Sequence, residues 1–132
     1  MQTAALLPAD AGQLKADLDK TGKAVLHVNF ATDRTQILPT SKPQMDAVVA
    51  LLKADPSLKL AINGYTDDTG TDAHNVTLSD GRAKAVQAAL VAAGIKADRL
   101  QAKGYGRVSP VSNNTDETGK AANRRVELVK LP

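Results

Sequence analysis

Leu58-Lys59-Leu60-Ala61-Ile62-Asn63-Gly64-Tyr65-Thr66-Asp67 is the stretch on which the fold turns. Leu58, Leu60 and Ile62 alternate with the residues between them, the period of a strand with one buried face. Gly64 ends that run and opens a polar loop over 66–72. From about Asn75 to Ala93 the period changes. Leu78, Ala85, Val86, Ala89 and Leu90 mark the apolar stripe of a long helix, and Gly94 stands where a C-cap is needed. A strand, a loop bearing the carboxylate of Asp67 and a helix bearing Arg82 thus form one continuous unit.

Working outward, residues 1–9 read as a loose leader. Residues 10–21 read as a helix, with Leu14 and Leu18 four apart and Gly22 as its stop. Residues 24–30 alternate as a strand, with Ala24, Leu26, Val28 and Phe30 on one side. A polar loop over 31–39 leads to a helix with Ser41 as N-cap, Pro43 in its first turn, Gln44 at the capping-box position and Met45, Val48, Val49 and Leu52 as its stripe. Pro56 closes it. Downstream of Gly94, Leu100, Ala102 and Gly104 mark a short strand, 106–123 a long polar loop and 125–130 a final strand. The order α-β-α-β-α-β-β predicts an α/β fold, a two-layer sandwich.

The chain has 132 residues, enough for one domain and one modest core. Aromatic residues make up only 2%, so the core must be built from Leu, Val, Ile and Ala. A net charge of +3 with scattered Lys and Arg promises no basic patch, and Tyr65, Tyr105 and Phe30 are too few to stack bases. A nucleic-acid partner is therefore not expected. The absence of cysteine excludes disulfides and thiolate metal sites. No apolar run approaches the ~20 residues of a membrane span, and no basic n-region follows Met1 to mark a signal peptide. His27 and His74 do not define a metal site, no glycine-rich phosphate loop is present, and no nucleophile–base pair with supporting context exists. Neither a cofactor nor catalysis is expected.

Two readings of Asp67 stay open. It can cap the turn formed with Asp68, Thr69 and Gly70, or it can face a ligand from the loop beyond a strand's carboxyl end. Asn75 and Arg82 are seven residues apart and project from about the same helix face. Arg82 lies near the apolar side. It suits either a structural ion pair with Asp67 or Asp80, or a bidentate grip on a ligand carboxylate. Asn75 suits a helix cap or an amide offered to ligand. Arg124 and Arg125 open the last strand, and alternation sends one to each face, so one of them is directed toward the Asp67 cleft. Asn29, Thr32 and Asp33 close the first strand and can line the same cleft. An acid and an arginine so placed suit a ligand with both an ammonium and a carboxylate.

These residues resemble the OmpA-like peptidoglycan-binding domain found in OmpA-type outer-membrane proteins, the peptidoglycan-associated lipoprotein and flagellar stator proteins. The resemblance spans Gly22 to Lys130. It is carried by Asn29-Phe30, Gly64-Tyr65-Thr66-Asp67, Gly70, Asn75, Leu78-Ser79, Arg82-Ala83, Gly94-Ile95, Arg99-Leu100, Gly104-Tyr105-Gly106, Pro110 and Asn123-Arg124-Arg125-Val126-Glu127. The departure inside the central motif is Tyr65, where the family usually has histidine.

The resemblance implies a mixed four-stranded sheet packed against helices, a β-α-β-α-β-β core over 22–132 behind a leader and short amino-terminal helix over 1–21. It implies non-covalent binding of the meso-diaminopimelate end of a peptidoglycan stem peptide: Asp67 accepts its ammonium and Arg82 grips its carboxylate. Asn75, Thr69 and one of Arg124 and Arg125 support the peptide, and the segment Asn29, Phe30, Thr32 and Asp33 lends further contacts. It also implies a periplasmic anchor with no enzymatic activity, joined to the outer membrane or envelope through a region outside this chain. A homodimer is compatible with the family. The alternative is an interaction module of the same fold serving envelope assembly, with its partner near the 106–123 loop.

Overall fold

The computed structural model describes residues 9–26, 28, 30, 34–108, 116, 119–120 and 123–132. Those residues form, in chain order, α1 (Ala9–Thr21), β1 (Lys23–Leu26), α2 (Lys42–Ala54), β2 (Leu60–Tyr65), α3 (Asp72–Ala92), β3 (Leu100–Gly104) and β4 (Arg125–Lys130), with short 3-10 turns at Pro39–Ser41 and Ala97–Arg99. The sheet order is β1-β4-β2-β3. β4 runs antiparallel to both β1 and β2, while β2 and β3 are parallel and joined through α3. The mixed four-stranded α/β sandwich expected from the sequence is present.

The inner face of the sheet carries Leu26, Leu60, Ile62, Leu100, Val126 and Leu128. They meet Val48, Leu51 and Leu52 of α2 and Val86 and Leu90 of α3 in one core. Leu14 and Leu18 of α1 belong to the same core. With so few aromatics, these branched aliphatics supply most of the burial, each contributing about 1.5–3 kcal/mol of transfer free energy.

Several boundaries differ from the sequence reading. β1 ends at Leu26 rather than at residue 30, because its partner runs out: Val126, opposite Leu26, is only the second residue of β4. Phe30 makes an isolated antiparallel bridge to Ile37. Ser41 precedes α2 as expected, but it has helical dihedrals and its side chain forms no capping bond, since the turn Pro39–Ser41 leads the chain into the helix. Asn75 does not cap α3. Thr71 does, its Oγ1 accepting the His74 amide at 3.1 Å. Leu78 is only half-buried, and Ser79 takes the fully buried position beside it.

Gly94, at φ +105°, ends α3 in the left-handed conformation, with the Ile95 amide donating to the Leu90 carbonyl and the Gly94 amide to Val91. Arg99 fastens the far end of α2. Its Nη2 donates to the carbonyls of Leu52 (2.8 Å) and Asp55 (2.7 Å), and its Nε to that of Leu58 (3.1 Å).

Helix and sheet approach closely where α3 crosses β2 and β3. Gly64 and Gly104 sit side by side in the parallel register. A Cβ on Gly64 would strike the Ser79 carbonyl, and one on Gly104 would strike the Asp80 amide. Gly104→Ala should therefore destabilise the protein by roughly 3 kcal/mol, because backbone must move to admit the methyl group. Gly12, inside α1 with nothing within 4 Å of its would-be Cβ, provides the contrast. Gly12→Ala should stabilise by about 0.5–1 kcal/mol. Urea denaturation midpoints of the two variants should move in opposite directions.

Candidate functional site

The crossing of α3 over the paired glycines brings one face of the helix against the end of β2. Along that face Asn75, Ser79 and Arg82 are all buried, at 2%, 0% and 7% exposure. The stripe continues the apolar row of Val86 and Leu90 but changes from packing to polar function at its amino-terminal half. Ser79 locks the geometry: its Oγ accepts the Gly106 amide (2.9 Å) and donates to the Val76 carbonyl (3.1 Å). The Thr66 amide donates to the Gly106 carbonyl (2.7 Å) and the Tyr105 amide to that of Gly64 (2.9 Å). The turns after β2 and β3 are thereby fixed to each other and to α3.

Asp67 lies in the first of these turns and is buried. Its Oδ1 accepts the Thr69 amide at 2.8 Å, so it does organise the turn. Its Oδ2 accepts Arg124 Nη1 at 2.6 Å. Its backbone carbonyl accepts the Thr66 hydroxyl (2.8 Å) and, at the long limit of 3.5 Å, Asn75 Nδ2. Both readings of Asp67 hold at once: a turn-organising acid that also carries a charge partner. Burial pushes its carboxyl upward, but the Thr69 amide and the Arg124 guanidinium outweigh that, and it titrates below the ordinary carboxylate range.

Arg82 takes a different partner from the acids considered for it. Its Nε donates to the Arg34 carbonyl at 2.8 Å, and its guanidinium carbon lies 4.9 Å from the centre of the Phe30 ring. The carboxylate of Asp80 pairs with Lys84 at 2.8 Å and accepts the Gly104 amide. Gly81 lets the segment before α2 lie this close, since a Cβ there would crowd the Thr35 methyl.

Arg124 and Arg125 stand at the entry to β4, which begins at Arg125, so Arg124 lies before the strand expected to set their faces, and the two take different partners. Arg124 meets Asp67. Arg125 is buried, its Nε donating to Glu127 Oε2 (2.6 Å) and its Nη1 to the Asn123 carbonyl (3.3 Å), and its guanidinium covers the Tyr65 ring at 4.0 Å. Tyr65 in turn stacks on Tyr105, with centroids 5.5 Å apart and planes at 17°. Burial and the nearby Glu127 raise the Tyr65 phenol above its ordinary value.

Val28, Phe30, Gly64, Tyr65, Arg82, Arg124, Arg125 and Val126 line a depression of about 210 Å³, counting the solvent-open space above it. Three arginines, Arg82, Arg124 and Arg125, are among the residues that line it, which suits an anion such as a carboxylate. Asp67 does not line it. Arg124 does, while holding Asp67. The structure thus brings together Asp67, Thr69, Asn75, Arg82, Phe30 and Arg124. Arg125 is committed to Glu127 and Tyr65. Asn29, Thr32 and Asp33 lie outside the described residues, as does most of the 106–123 loop.

The sequence reading gave no role to Ser79, Glu127 or the Arg34 carbonyl. Glu127 was detectable, because two residues apart on a strand places it on the same face as Arg125. The Arg34 carbonyl carried no side-chain signal at all.

The Asp67 pairing has a pH signature. A carboxyl held below its unfolded value contributes stability that is fully present above the ordinary carboxylate range and is lost as pH falls through the depressed folded value. The destabilisation caused by Asp67→Asn, measured by urea unfolding at stepped pH, should be largest near neutrality and shrink on acidification. A penalty constant with pH would mean that the charge contributes nothing.

Among the described residues no helix is long and apolar enough to cross a membrane. Peptidoglycan-binding protein ArfA of Mycobacterium tuberculosis is 40% identical over 116 residues, which are 86% of this chain and 36% of that protein. The chain thus spans about a third of the length of that relative. The peptidoglycan-associated lipoprotein from Burkholderia pseudomallei superposes with a TM-score of 0.73 at 32% identity, covering 79% of this chain and 88% of that one. The cell wall anchor of the T6SS from Pseudomonas aeruginosa does so with a TM-score of 0.72 at 26% identity, covering 96% and 99%. None of the three carries an enzyme's name. Residues 29–124 match the family model described as OmpA family, and with most of the chain inside that match, the protein belongs to the OmpA family.

Proposed function

We propose that this domain binds the peptide stem of peptidoglycan non-covalently and ties the protein that contains it to the cell wall in the periplasm. The diaminopimelate end of the stem is the recognised group. Its ammonium is accepted by Asp67 and its carboxylate is gripped by Arg82 at the guanidinium-lined depression. Thr69 and Asn75 hold the Asp67 turn, and Phe30 orients Arg82. The observation that carries this reading is a buried carboxylate, Asp67, paired with Arg124, which together with Arg82 lines the neighbouring depression. The names of two similar proteins, a peptidoglycan-binding protein and a cell wall anchor, support it. Asp67 serves as an anchor and not as a general acid or base, since its depressed carboxyl is a poor proton carrier near neutrality. A lysine-type stem offers the ammonium without the carboxylate and leaves Arg82 without its ligand partner.

Calorimetric titration with a stem tripeptide ending in meso-diaminopimelate tests the reading. The parent should bind saturably. Asp67→Ala and Arg82→Lys, each checked for folding by circular dichroism, should bind at least about tenfold more weakly, as expected when one charge-assisted hydrogen-bond partner is lost. A folded parent that does not bind would shift the assignment to an interaction module for envelope assembly.

A further inference from the structure

Gly81 stands in the middle of α3, where glycine weakens a helix relative to alanine. It is not among the glycines with positive φ, so its backbone conformation is open to any residue. What Gly81 provides is space. A Cβ there would lie 2.7 Å from the Thr35 methyl, closer than real contacts allow, and 3.6 Å from the Thr35 Cβ, an ordinary contact. The methyl group is the obstacle.

Thr35 sits between two fixed points. Its neighbour Arg34 supplies the carbonyl that accepts Arg82 Nε at 2.8 Å. Two residues on, Ile37 packs against the core and bridges to Phe30, whose ring centre lies 4.9 Å from the Arg82 guanidinium carbon. The carbonyl and the ring that meet Arg82 are thus tied to one short segment, 34–37, and that segment rests on α3 at Gly81. Arg82 is buried, whereas Arg34 and Thr35 are exposed. Pushed from below, the segment has room to move outward, and Arg82 would lose its alignment while the core stayed intact.

Resting on the stem-binding reading given above, we propose that Gly81 and Thr35 are a positioning pair for Arg82: the missing side chain at 81 seats the 34–37 segment at the depth that aims the guanidinium at the ligand carboxylate. A side chain at 81 pushes on the Thr35 methyl and draws the Arg34 carbonyl away from Arg82 Nε. Helix propensity is given up at 81, and the placement of Arg82 is what that loss secures.

Gly81→Ala and the double variant Gly81→Ala/Thr35→Ala separate this role from a general one. The urea midpoint of Gly81→Ala should be at or above the parent's, because helix propensity is gained and the displaced segment is exposed. Calorimetric titration should nonetheless show a tripeptide stem ending in meso-diaminopimelate bound about threefold or more weakly. A tripeptide ending in lysine, whose side chain carries no carboxylate, should be bound no differently by parent and variant. The double variant, lacking the methyl group, should regain most of the lost affinity. Without any ligand, solvent exchange of the Arg82 Nε proton, read by NMR, should be faster in Gly81→Ala than in the parent and slow again in the double variant.

Weakening of both stems together with a lower urea midpoint overturns the proposal in favour of a general structural role. Unchanged Arg82 exchange in Gly81→Ala, or a double variant that binds as weakly as the single one, overturns it as well. Each of these outcomes leaves stem binding by the parent intact. A folded parent that binds neither stem overturns the proposed function itself, and the aiming role with it.

Discussion

The site depends on how closely α3 approaches the sheet. Two glycines adjacent in register, Gly64 and Gly104, bring no side chain of their own to the crossing, and the helix backbone at Ser79 and Asp80, with the Ser79 hydroxyl, fills the space. That approach sets the depth of the helix, and the depth sets everything on its near face. Arg82 reaches the end of β2, Asn75 reaches the carbonyl of Asp67, and Ser79 secures the turn after β3. A side chain at either glycine would lift α3 and separate the acid from the arginine. Loop residues can hold a defined geometry here because three backbone segments are bonded to one another around a single serine.

Having fixed the backbone, the protein places several charges in sheltered positions. Burying an ion is costly unless it is paired and hydrogen-bonded, and an unpaired buried charge costs several kcal/mol. The observed pattern meets that requirement. Arg125 and Glu127 bond to each other across one strand position, and Lys23 lies 3.6 Å from the other oxygen of Glu127. Asp67 is held by an amide and a guanidinium. Arg82 donates to a backbone carbonyl and rests against an aromatic ring. Tyr65 fits the same economy of charge: a neutral ring fills the space between Arg125 and Tyr105 without bringing another cation to a site already rich in them.

The strand–loop–helix unit from Leu58 to Gly94 was legible because its signals are local. Period-two alternation, a glycine, a polar run and a helical stripe all lie within the segment they describe. What escaped is whatever depends on a distant segment. The end of β1 is decided by where β4 begins, about a hundred residues later. The partner of Arg82 is a main-chain carbonyl, which any residue type at position 34 would supply. The capping of α3 was misread because Asn75 and Thr71 are both good caps, and only the path of the loop between β2 and α3 selects the earlier one. The resemblance to a family singled out Asp67 and Arg82, but it did not show that Asp67 pairs with Arg124.

A shallow, charge-based site of this kind has a physical consequence for anchoring. On the proposed reading, an ion pair that forms at the cost of desolvating both charges yields only a small net free energy, so a single stem peptide is held with modest affinity. A cell wall, on the proposed reading, is not a single ligand. It repeats the same stem at short intervals, and a domain tethered beside it meets a high effective concentration that re-forms each broken contact. Weak contacts that exchange quickly then give an attachment that persists on average, yet lets the anchored protein move as the polymer is remodelled. A deep, dry pocket would hold one stem longer at the expense of that exchange. The Arg124 pair keeps Asp67 from being an unpaired buried charge.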